Sequence, residues 1–182
     1  MENGISSYCR FLNGDDEGMV ELIRDYKDGL MLYIDSIVHN ISVSEELTED
    51  TFVKIAVKKP RYKEKYSFKA WLYAIGRNVA KDHLRKYGNN ISYYIDEDIE
   101  DNEDLEQEHI KNEEKIMLHR TMKKLKSEYQ QVLSLVYFEQ LSNAEAAAVM
   151  HKSKRQIENL LYYAKKALRS ELEEGGFQYE EL

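Results

Sequence analysis

The sequence contains few of the residues that cross-link or interrupt a chain. Of its 182 residues, one is cysteine (Cys9) and one is proline (Pro60). A single cysteine excludes a disulfide framework and suits a reducing cytosol. No apolar run approaches the roughly 20 residues of a membrane span, and the N-terminus lacks the basic and apolar segments of a signal peptide. We therefore expect a cytoplasmic protein without membrane insertion.

Patterns typical of catalysis and metal binding are also scarce. The five histidines are scattered, with no pair at metal-ligand spacing and no HExxH motif. The sequence has no glycine-rich loop that could hold a phosphate group. Cys9 has no histidine partner apparent in the sequence, and we expect it in a mobile end of the chain. These absences favour a protein that is not an enzyme and that uses neither metal nor cofactor.

Charge is distributed very unevenly along the chain, whose net charge is −8. Residues 89–114 hold eleven of the 34 acidic residues and one of the 26 basic residues. Residues 54–86 show the opposite bias, with eleven basic and two acidic residues. The overall acidity thus conceals a basic block that would attract a polyanion such as nucleic acid.

Apolar residues recur at helical spacing in the N-terminal half, whereas period-2 alternation is rare. The first helical stripe covers residues 22–41. A second helix is predicted to begin at the capping box 42–45 and to stop before Pro60, because the residue before proline avoids the helical conformation. Ser67 caps a predicted third helix, which we expect to break at residues 88–90.

The fold class predicted from these patterns is all-α, with two small helical domains joined by a flexible acidic linker. The N-terminal domain covers 1–88 and the linker 89–114, where the helical pattern is lost and the acidic residues repel one another. Helical periodicity returns from about Glu114, so the C-terminal domain covers 115–182.

The C-terminal domain carries a predicted helix-turn-helix over residues 142–172. Capping boxes begin at Ser127, Ser142 and Ser153, and each marks the start of a helix. The helix from Ser142 ends near Met150, which leaves room only for a tight turn. A short helix, a tight turn and a longer helix form the helix-turn-helix arrangement.

The outer face of the second helix predicts DNA binding. Arg155, Gln156 and Asn159 lie in its first two turns and can form paired bonds with base edges. Lysines further along suit phosphates. The alternative is a solvated polar face on an ordinary bundle helix. The contacts predicted with DNA are Lys152, Ser153, Lys154, Arg155, Gln156, Asn159, Tyr162, Lys165 and Lys166.

A second candidate surface for nucleic acid lies in the N-terminal basic block. Arg77, Lys81 and Arg85 share one helix face, and residues 61–66 interleave tyrosines with basic residues. This mixture suits unpaired nucleic acid, since aromatic rings stack on exposed bases at roughly 1–3 kcal/mol each. The alternative is a basic surface that keeps the protein soluble. Trp71 is expected in the core. The predicted contacts are Arg61, Tyr62, Lys63, Lys65, Tyr66, Lys69, Arg77, Asn78, Lys81, Arg85 and Lys86.

The predicted second helix carries acidic residues in like-charged pairs. Glu45 and Glu49, and Glu46 and Asp50, are four residues apart, a spacing that destabilises a helix by a few tenths of a kcal/mol per pair. The pattern indicates either a solvated acidic face or a docking surface for a basic partner.

Three stretches of this sequence resemble the extracytoplasmic-function (ECF) class of bacterial sigma factors, the subunits that direct RNA polymerase to promoters. Residues 45–54 resemble the polymerase-binding helix of region 2. Residues 68–85 resemble the promoter-melting helix of that region, and residues 125–172 resemble region 4. The order of the three stretches and the acidic linker also fit this class.

The resemblance implies how the parts would act. Core RNA polymerase, promoter DNA and an anti-sigma factor are the implied partners. Residues 61–86 would hold the separated strand of the minus-10 element, with Asn78 near an extruded base, and the helix from Ser153 would read the minus-35 element as duplex. The linker would pass near the active-site cleft or the RNA exit path. The implied polymerase contacts are Glu46, Leu47, Glu49, Asp50, Phe52 and Val53.

The sequence departs from the family pattern in the recognition helix. Residues 155–160 differ from the family's common Gly-Thr-Val-Lys-Ser-Arg, and Tyr163 replaces a usual arginine. Glu158 would repel a phosphate, so base preferences cannot be carried over from relatives. A competing function is that of a two-domain helix-turn-helix regulator that binds operators without polymerase, which leaves the aromatic and basic segment 61–66 unexplained.

Overall fold

The computed structural model describes residues 3–91, 118 and 120–174. Within this part of the chain the protein is helical and has no strand, which confirms the all-α prediction. None of the described helices is long and apolar enough to cross a bilayer. The helices are α1 (Asn3–Leu12), α2 (Glu17–Val38), α3 (Ile41–Lys58), α4 (Phe68–Ile91), α5 (Ser127–Leu133), α6 (Asn143–Met150) and α7 (Lys154–Glu174), and a π-helical turn (Ser134–Phe138) follows α5.

Helix α1 was not predicted, and its presence contradicts the expectation of a mobile N-terminal end. Tyr8 and Phe11 are buried on its inner side, while Cys9 is exposed on its outer side. The helix lies close to α2 because Gly18 has no side chain, and a Cβ atom there would clash with the carbonyl oxygen of Ser7. Two aromatic rings thus anchor the segment to the core.

The capping box predicted at 42–45 is wrong, because helix α3 begins one residue before it, at Ile41. Asn40 is the N-cap residue, and its side-chain oxygen accepts a hydrogen bond from the Val43 N–H at 3.0 Å. Ser44 is buried instead, and its hydroxyl donates to the Asn40 carbonyl oxygen at 2.7 Å. The predicted stop is confirmed, since α3 ends at Lys58 ahead of Pro60.

Helix α4 begins as predicted but extends further than predicted. The Ser67 hydroxyl accepts a hydrogen bond from the Ala70 N–H at 3.2 Å, which confirms the cap. The predicted break at 88–90 is wrong, because α4 continues to Ile91. One glycine costs a helix only about 1 kcal/mol, which the preceding turns can absorb. The rest of the predicted linker lies outside the described residues.

Aromatic side chains fill the N-terminal core. Trp71 is partly buried and packs against the core residues Phe68 and Tyr8, with ring centroids 5.2 Å and 5.3 Å away. Tyr62 joins the same group from the loop before α4, 5.8 Å from Phe68. This cluster fixes the start of α4 against α1 and the 61–66 loop.

The C-terminal helices pack around a core of aliphatic side chains. Val132, Leu135, Val149, Ile157 and Ala164 have no exposed surface. Buried side chains of both halves of the chain belong to one hydrophobic cluster, because α5 lies against α2 and α6 lies against α4.

The helix start predicted at Ser127 is confirmed, but the capping box there is wrong. The N-cap residue is Lys126, which makes no side-chain capping bond. The Ser127 hydroxyl donates instead to the carbonyl oxygen of Ser36 in α2, at 2.7 Å. Gln130 does not form the predicted capping bond either. Its side-chain amide donates instead to the carbonyl oxygen of Leu125 at 2.8 Å.

Candidate nucleic-acid and polymerase interfaces

Helices α6 and α7 form the helix-turn-helix that the capping boxes predicted. The Ser142 hydroxyl accepts a hydrogen bond from the Glu145 N–H at 3.3 Å, and the Glu145 carboxylate accepts one from the Ser142 N–H at 2.9 Å. His151 ends α6 in the left-handed conformation, with φ of 54°. The turn is therefore three residues long, which sets α7 at a fixed angle to α6.

The outer face of α7 presents the predicted DNA contacts to solvent. The side chains of Arg155, Asn159, Tyr162, Lys165 and Lys166 are all exposed. The opposite face is held by Ile157, Leu161 and Ala164, which are buried. The helix is thus fixed by one face and free to approach a duplex with the other.

Three of the predicted contacts at the start of α7 are engaged within the chain. The Gln156 side-chain oxygen accepts a hydrogen bond from the Ser153 N–H at 2.8 Å, and the Ser153 hydroxyl accepts one from the Gln156 N–H at 3.2 Å. This confirms the third capping box. Lys152 is paired with Glu128 at 2.9 Å. The geometry therefore favours Arg155 and Asn159 as base readers over Gln156.

Two neighbouring residues give α7 a feature that the predicted contacts covered only in part. Tyr162 and Tyr163 are 64% and 56% exposed, and their rings meet edge to face with centroids 5.3 Å apart. Only Tyr162 was predicted as a contact. The sequence signal that could have pointed to Tyr163 as a second candidate contact is its position next to Tyr162 on a helix face that also carries lysines.

The second half of α4 presents basic residues to solvent. Lys81, Arg85 and Lys86 are exposed. Arg85 forms an ion pair with Asp82 at 3.0 Å, and both side chains are mostly exposed. Such a pair contributes little, so it leaves Arg85 available to a phosphate.

The first half of α4 is engaged by the C-terminal helices. The Lys69 ammonium lies 3.2 Å from the Glu139 carboxylate, and the Asn78 side-chain oxygen lies 3.4 Å from Nε2 of His151. Arg77 is partly buried, and its Nε has no hydrogen-bond partner among the described residues. The predicted minus-10 residues on α4 therefore divide into an engaged group and an exposed group.

The loop before α4 splits its aromatic residues in a similar way. Tyr62 packs into the core and donates a hydrogen bond to the Tyr66 carbonyl oxygen at 2.5 Å. Tyr66 is partly exposed, and the Lys65 ammonium lies over its ring, 5.4 Å from the ring centroid. Arg61 and Lys63 are exposed. Tyr66 is thus the better placed of the two tyrosines for stacking on a base.

Helix α3 presents an acidic face with an apolar edge. Glu46, Glu49, Asp50 and Val53 are exposed on one side of the helix. Val57, one turn further, is 75% exposed and continues this face. Val57 was not among the predicted contacts. Its position four residues after Val53 could have indicated that the two side chains share one face of the helix.

Two of the predicted polymerase contacts lie on the other side of α3. Leu47 and Phe52 are 3% and 6% exposed and belong to the hydrophobic core. Both residues therefore hold the helix in place, and the surface left for a partner consists of Glu46, Glu49, Asp50, Val53 and Val57. Among the described residues, no group of three or more potential ligand side chains could hold a metal ion.

Comparisons with known proteins match both halves of the chain. The family described as Sigma-70 region 2 matches residues 22–89, and the family described as Sigma-70, region 4 matches residues 115–168. The ECF RNA polymerase sigma factor SigW of Bacillus subtilis (strain 168) is 22% identical over 172 residues, 87% of this chain and 91% of SigW. The RNA polymerase sigma factor YlaC of the same organism is 27% identical over 165 residues, 86% of this chain and 92% of YlaC.

Solved structures share the fold. CnrH in complex with the cytosolic domain of CnrY gives a TM-score of 0.67 at 20% identity, over 94% of this chain and 98% of CnrH. The sigma factor RpoE in complex with the anti-sigma factor NepR from Bartonella quintana gives a TM-score of 0.67 at 19% identity, over 84% of this chain and 95% of that chain.

Two sigma-70 regions in the same chain, in their usual order, identify the class of protein as a sigma factor of RNA polymerase. The relatives that match most of its length place it more narrowly. The chain belongs to the extracytoplasmic-function sigma factors of the sigma-70 family. Region 2 below means residues 22–89, and region 4 means residues 115–168.

Proposed function

We propose that this sigma factor divides promoter recognition between two helices. Helix α7 reads the minus-35 element as duplex, while α4 and the loop 61–66 hold the separated strand of the minus-10 element. The exposed row on α7 is the observation that carries this proposal. Arg155 and Asn159 lie in the first two turns of the second helix of a helix-turn-helix, which is the part of such a motif that enters a major groove. Lys165 and Lys166 lie further along, where phosphates are contacted.

The acidic face of α3 is proposed to bind core RNA polymerase. Three acidic side chains supply negative charge: Glu46, Glu49 and Asp50. Val53 and Val57 supply an exposed apolar edge, whose burial by a partner would be favourable. Electrostatic complementarity would guide association with a basic surface, and burial of the two valines would hold it. The protein then acts as an initiation factor in the cytoplasm, and the polymerase performs the chemistry.

An anti-sigma factor is proposed as a further partner. The solved structures with this fold are complexes of CnrH with CnrY and of RpoE with the anti-sigma factor NepR. The domain boundaries that we propose are 1–88, 89–114 and 115–182, with the acidic middle segment passing near the active-site cleft or RNA exit path. Its charge would suit a channel shaped for a polyanion.

Transcription with purified core polymerase on a random promoter library tests the proposed function. We expect run-off transcripts from promoters that share a minus-35 and a minus-10 sequence. Tight binding to duplex DNA without association with core polymerase would instead favour a regulator that binds operators.

A charge reversal on α3 tests the polymerase surface. Glu46→Arg with Asp50→Arg should weaken binding to core polymerase by roughly a hundredfold, because like charges facing each other across an interface cost several kcal/mol. Glu173→Arg with Glu174→Arg, at the end of α7, is the matched control and should bind core polymerase as the unaltered protein does. Equal binding by both variants would contradict the assignment of α3.

A further inference from the structure

The outer face of α7 carries two large aromatic side chains that the described part of the chain leaves uncovered. Tyr162 and Tyr163 are 64% and 56% exposed, more than any other described phenylalanine, tryptophan or tyrosine. Leu161 and Ala164, their neighbours on either side, are buried and fix this turn of the helix. Adjacent exposed rings on a fixed surface indicate a contact with a partner rather than a contribution to folding.

Tyr163 continues a row that begins with the two proposed base readers. Arg155, Asn159 and Tyr163 are spaced four residues apart, so they follow one another along the same side of α7. All three side chains are exposed. At roughly 1.5 Å per residue, Tyr163 lies about 12 Å beyond Arg155 along the helix axis, which corresponds to about three to four base pairs. The row therefore ends on an aromatic ring within reach of the same duplex.

Tyr162 limits the orientations that the Tyr163 ring can take. The two rings meet edge to face, with centroids 5.3 Å apart and an interplanar angle of 80°. This arrangement is favourable because the positive edge of one ring faces the negative face of the other. A tyrosine side chain also has few rotatable angles to fix, so the pair loses little conformational freedom when it meets a partner. The two rings thus form a rigid, largely apolar surface.

The charges around the two tyrosines indicate that their partner is a nucleic acid. Lys165 and Lys166 follow closely in the sequence and are exposed, and Arg155 lies on the same outer face. A surface of this charge attracts a polyanion. Because these lysines already suit the phosphates, the aromatic rings are not needed for backbone contacts. We therefore looked for a group on the base edges that an aromatic ring would contact.

The base edges in a major groove offer one methyl group. Guanine, adenine and cytosine present hydrogen-bond donors and acceptors there, whereas thymine presents its C5-methyl group beside an oxygen acceptor. An aromatic ring that enters the groove therefore finds its apolar contact at thymine rather than at the other three bases. Contact with this methyl group distinguishes a T·A pair from the alternatives.

We propose that Tyr163, held in place by Tyr162, is a specificity-determining residue of α7 that contacts the C5-methyl group of one thymine in the minus-35 duplex. Its role rests on the proposed function, in which α7 reads this duplex. Arg155 and Asn159 then provide a polar readout at one end of the site, and Tyr163 provides an apolar readout at the other. The thymine lies about three to four base pairs from the pair that Arg155 discriminates.

Replacement of thymine by deoxyuridine tests this contact, because deoxyuridine lacks only the C5-methyl group and pairs with adenine in the same way. Promoters are selected from a random library by the holoenzyme that this chain forms with core polymerase. Each is rebuilt with deoxyuridine at one minus-35 thymine at a time, and binding is measured by competition. We expect one position at which loss of the methyl group weakens binding by about threefold to fivefold, as apolar burial of one methyl group implies.

Tyr163→Ala should abolish the difference between thymine and deoxyuridine at this position, because the ring that meets the methyl group is gone. Alanine is well tolerated at an exposed helix position, and circular dichroism checks that the variant keeps its helix content. Tyr162→Ala should reduce the difference without abolishing it, since Tyr163 keeps its ring but loses its support. Tyr163→Phe should keep the full difference, because the ring contact does not need the hydroxyl group.

Tyr137→Ala is the matched control. Tyr137 has a similar exposure of 53% but lies in the π-helical turn, outside α7. The variant should leave the ratio of the affinities for thymine and deoxyuridine unchanged. 5-Methylcytosine supplies a second measurement, because it carries the same methyl group on a different base pair. At the identified position it should bind more tightly than cytosine to the unaltered protein, and as tightly as cytosine to Tyr163→Ala.

Equal affinity for thymine and deoxyuridine at every minus-35 position, or a difference that persists in Tyr163→Ala, would overturn the proposed contact. A uniform loss for Tyr163→Phe with no effect of deoxyuridine would also overturn it, and would assign the hydroxyl group to a phosphate. Discrimination that depends on Arg155 but on no methyl group would contradict only this inference. Methyl-dependent duplex binding by a chain that does not associate with core polymerase would contradict only the proposed function.

Discussion

Helices α4 and α7 are both proposed to meet DNA, but the rest of the chain treats them differently. On α7, Arg155 and Lys166 are exposed, and within the described residues neither forms an ion pair. On α4, Lys69 is paired with Glu139 and Asn78 lies against His151. The two helices thus offer similar chemistry with unequal access.

This difference separates the location of a binding surface from its availability. A cluster of basic residues attracts a polyanion wherever it is exposed. An ammonium that already faces a mostly buried carboxylate must first exchange that partner for a phosphate. The proposed duplex recognition by α7 would therefore need no rearrangement, whereas the proposed strand capture by the start of α4 would.

The largest effect is expected on the exposed half of α4. Lys81→Ala with Arg85→Ala should reduce promoter opening by roughly tenfold to a hundredfold, because two contacts with a nucleic-acid backbone are lost. Binding to core polymerase should change little. Permanganate reactivity of unpaired thymines measures opening, and a polymerase binding assay run in parallel measures association.

Arg24→Ala with Lys58→Ala removes the same number of charges from exposed positions of α2 and α3. This control should open promoters at nearly the unaltered rate. If the α4 variant opens promoters as well as the control does, strand capture does not depend on this half of α4.

An effect of similar range, but confined to one base pair, is expected at the start of α7. Arg155→Ala should cost about 1–3 kcal/mol and relax discrimination at one upstream base pair, since its guanidinium would pair with a base edge. Lys166→Ala should weaken all sequences equally, because a phosphate contact carries no sequence information. Binding to a panel of minus-35 duplexes with single base changes distinguishes the two. A uniform loss for Arg155→Ala would assign this residue to phosphate.

Glu158 provides a finer test of the α7 surface. Its carboxylate lies 3.8 Å from the Lys154 ammonium, and both side chains are largely exposed. Glu158→Gln should tighten duplex binding by about twofold to fivefold, because it removes a repulsive charge and releases Lys154 to the backbone. Binding measured over a range of salt concentrations should show a steeper salt dependence.

Glu173→Gln is the matched control. It removes the same carboxylate charge about four turns further along α7, where Glu173 pairs with Arg169 at 2.8 Å. It should have a smaller effect on duplex binding than Glu158→Gln. Weaker binding by Glu158→Gln would indicate that Glu158 accepts a hydrogen bond from a base.

The sequence predicted those features whose partners lie close in the chain. The capping boxes at Ser142 and Ser153 were found because each closes within three residues. The same pattern misled at Ser127, whose hydroxyl bonds to a carbonyl oxygen 91 residues away. A local motif predicts where a helix begins, but tertiary contacts decide which groups the side chain meets.

The sequence predicted which helices carry the candidate sites, but not which of their side chains remain exposed once the helices pack together. Residue types and spacing placed the basic rows on α4 and α7 and set Leu47 and Phe52 on the apolar stripe of α3, yet they did not show that Val57 points outward. The pairing of Lys69 with Glu139 joins residues 70 positions apart, so no periodicity indicates it. These outcomes depend on how the helices pack.

The smallest effect is expected from acid, acting through Glu145. Burial tends to raise the pKa of this carboxyl, but hydrogen bonds from Ser67 and Ser142 outweigh it and hold the pKa below its ordinary value of 4.5. Because its pKa is lowered, Glu145 stabilises the state that contains those bonds at pH values above its ordinary pKa. The contribution is lost as the pH falls through the lowered pKa. Acid should therefore weaken both the cap of α6 and the bond to Ser67.

One dye can be attached to Cys9, which is exposed on α1, and another to Ser170→Cys, at an exposed position of α7. Energy transfer between these two dyes, followed from neutral pH to below 4.5, measures this loss. Transfer should fall with acid in the unaltered protein, and Glu145→Gln should flatten part of that fall because its side chain does not titrate there. Glu171→Gln should keep the full dependence, since Glu171 faces Lys124 within region 4. Identical acid curves for the two variants would mean that Glu145 does not control the response to acid.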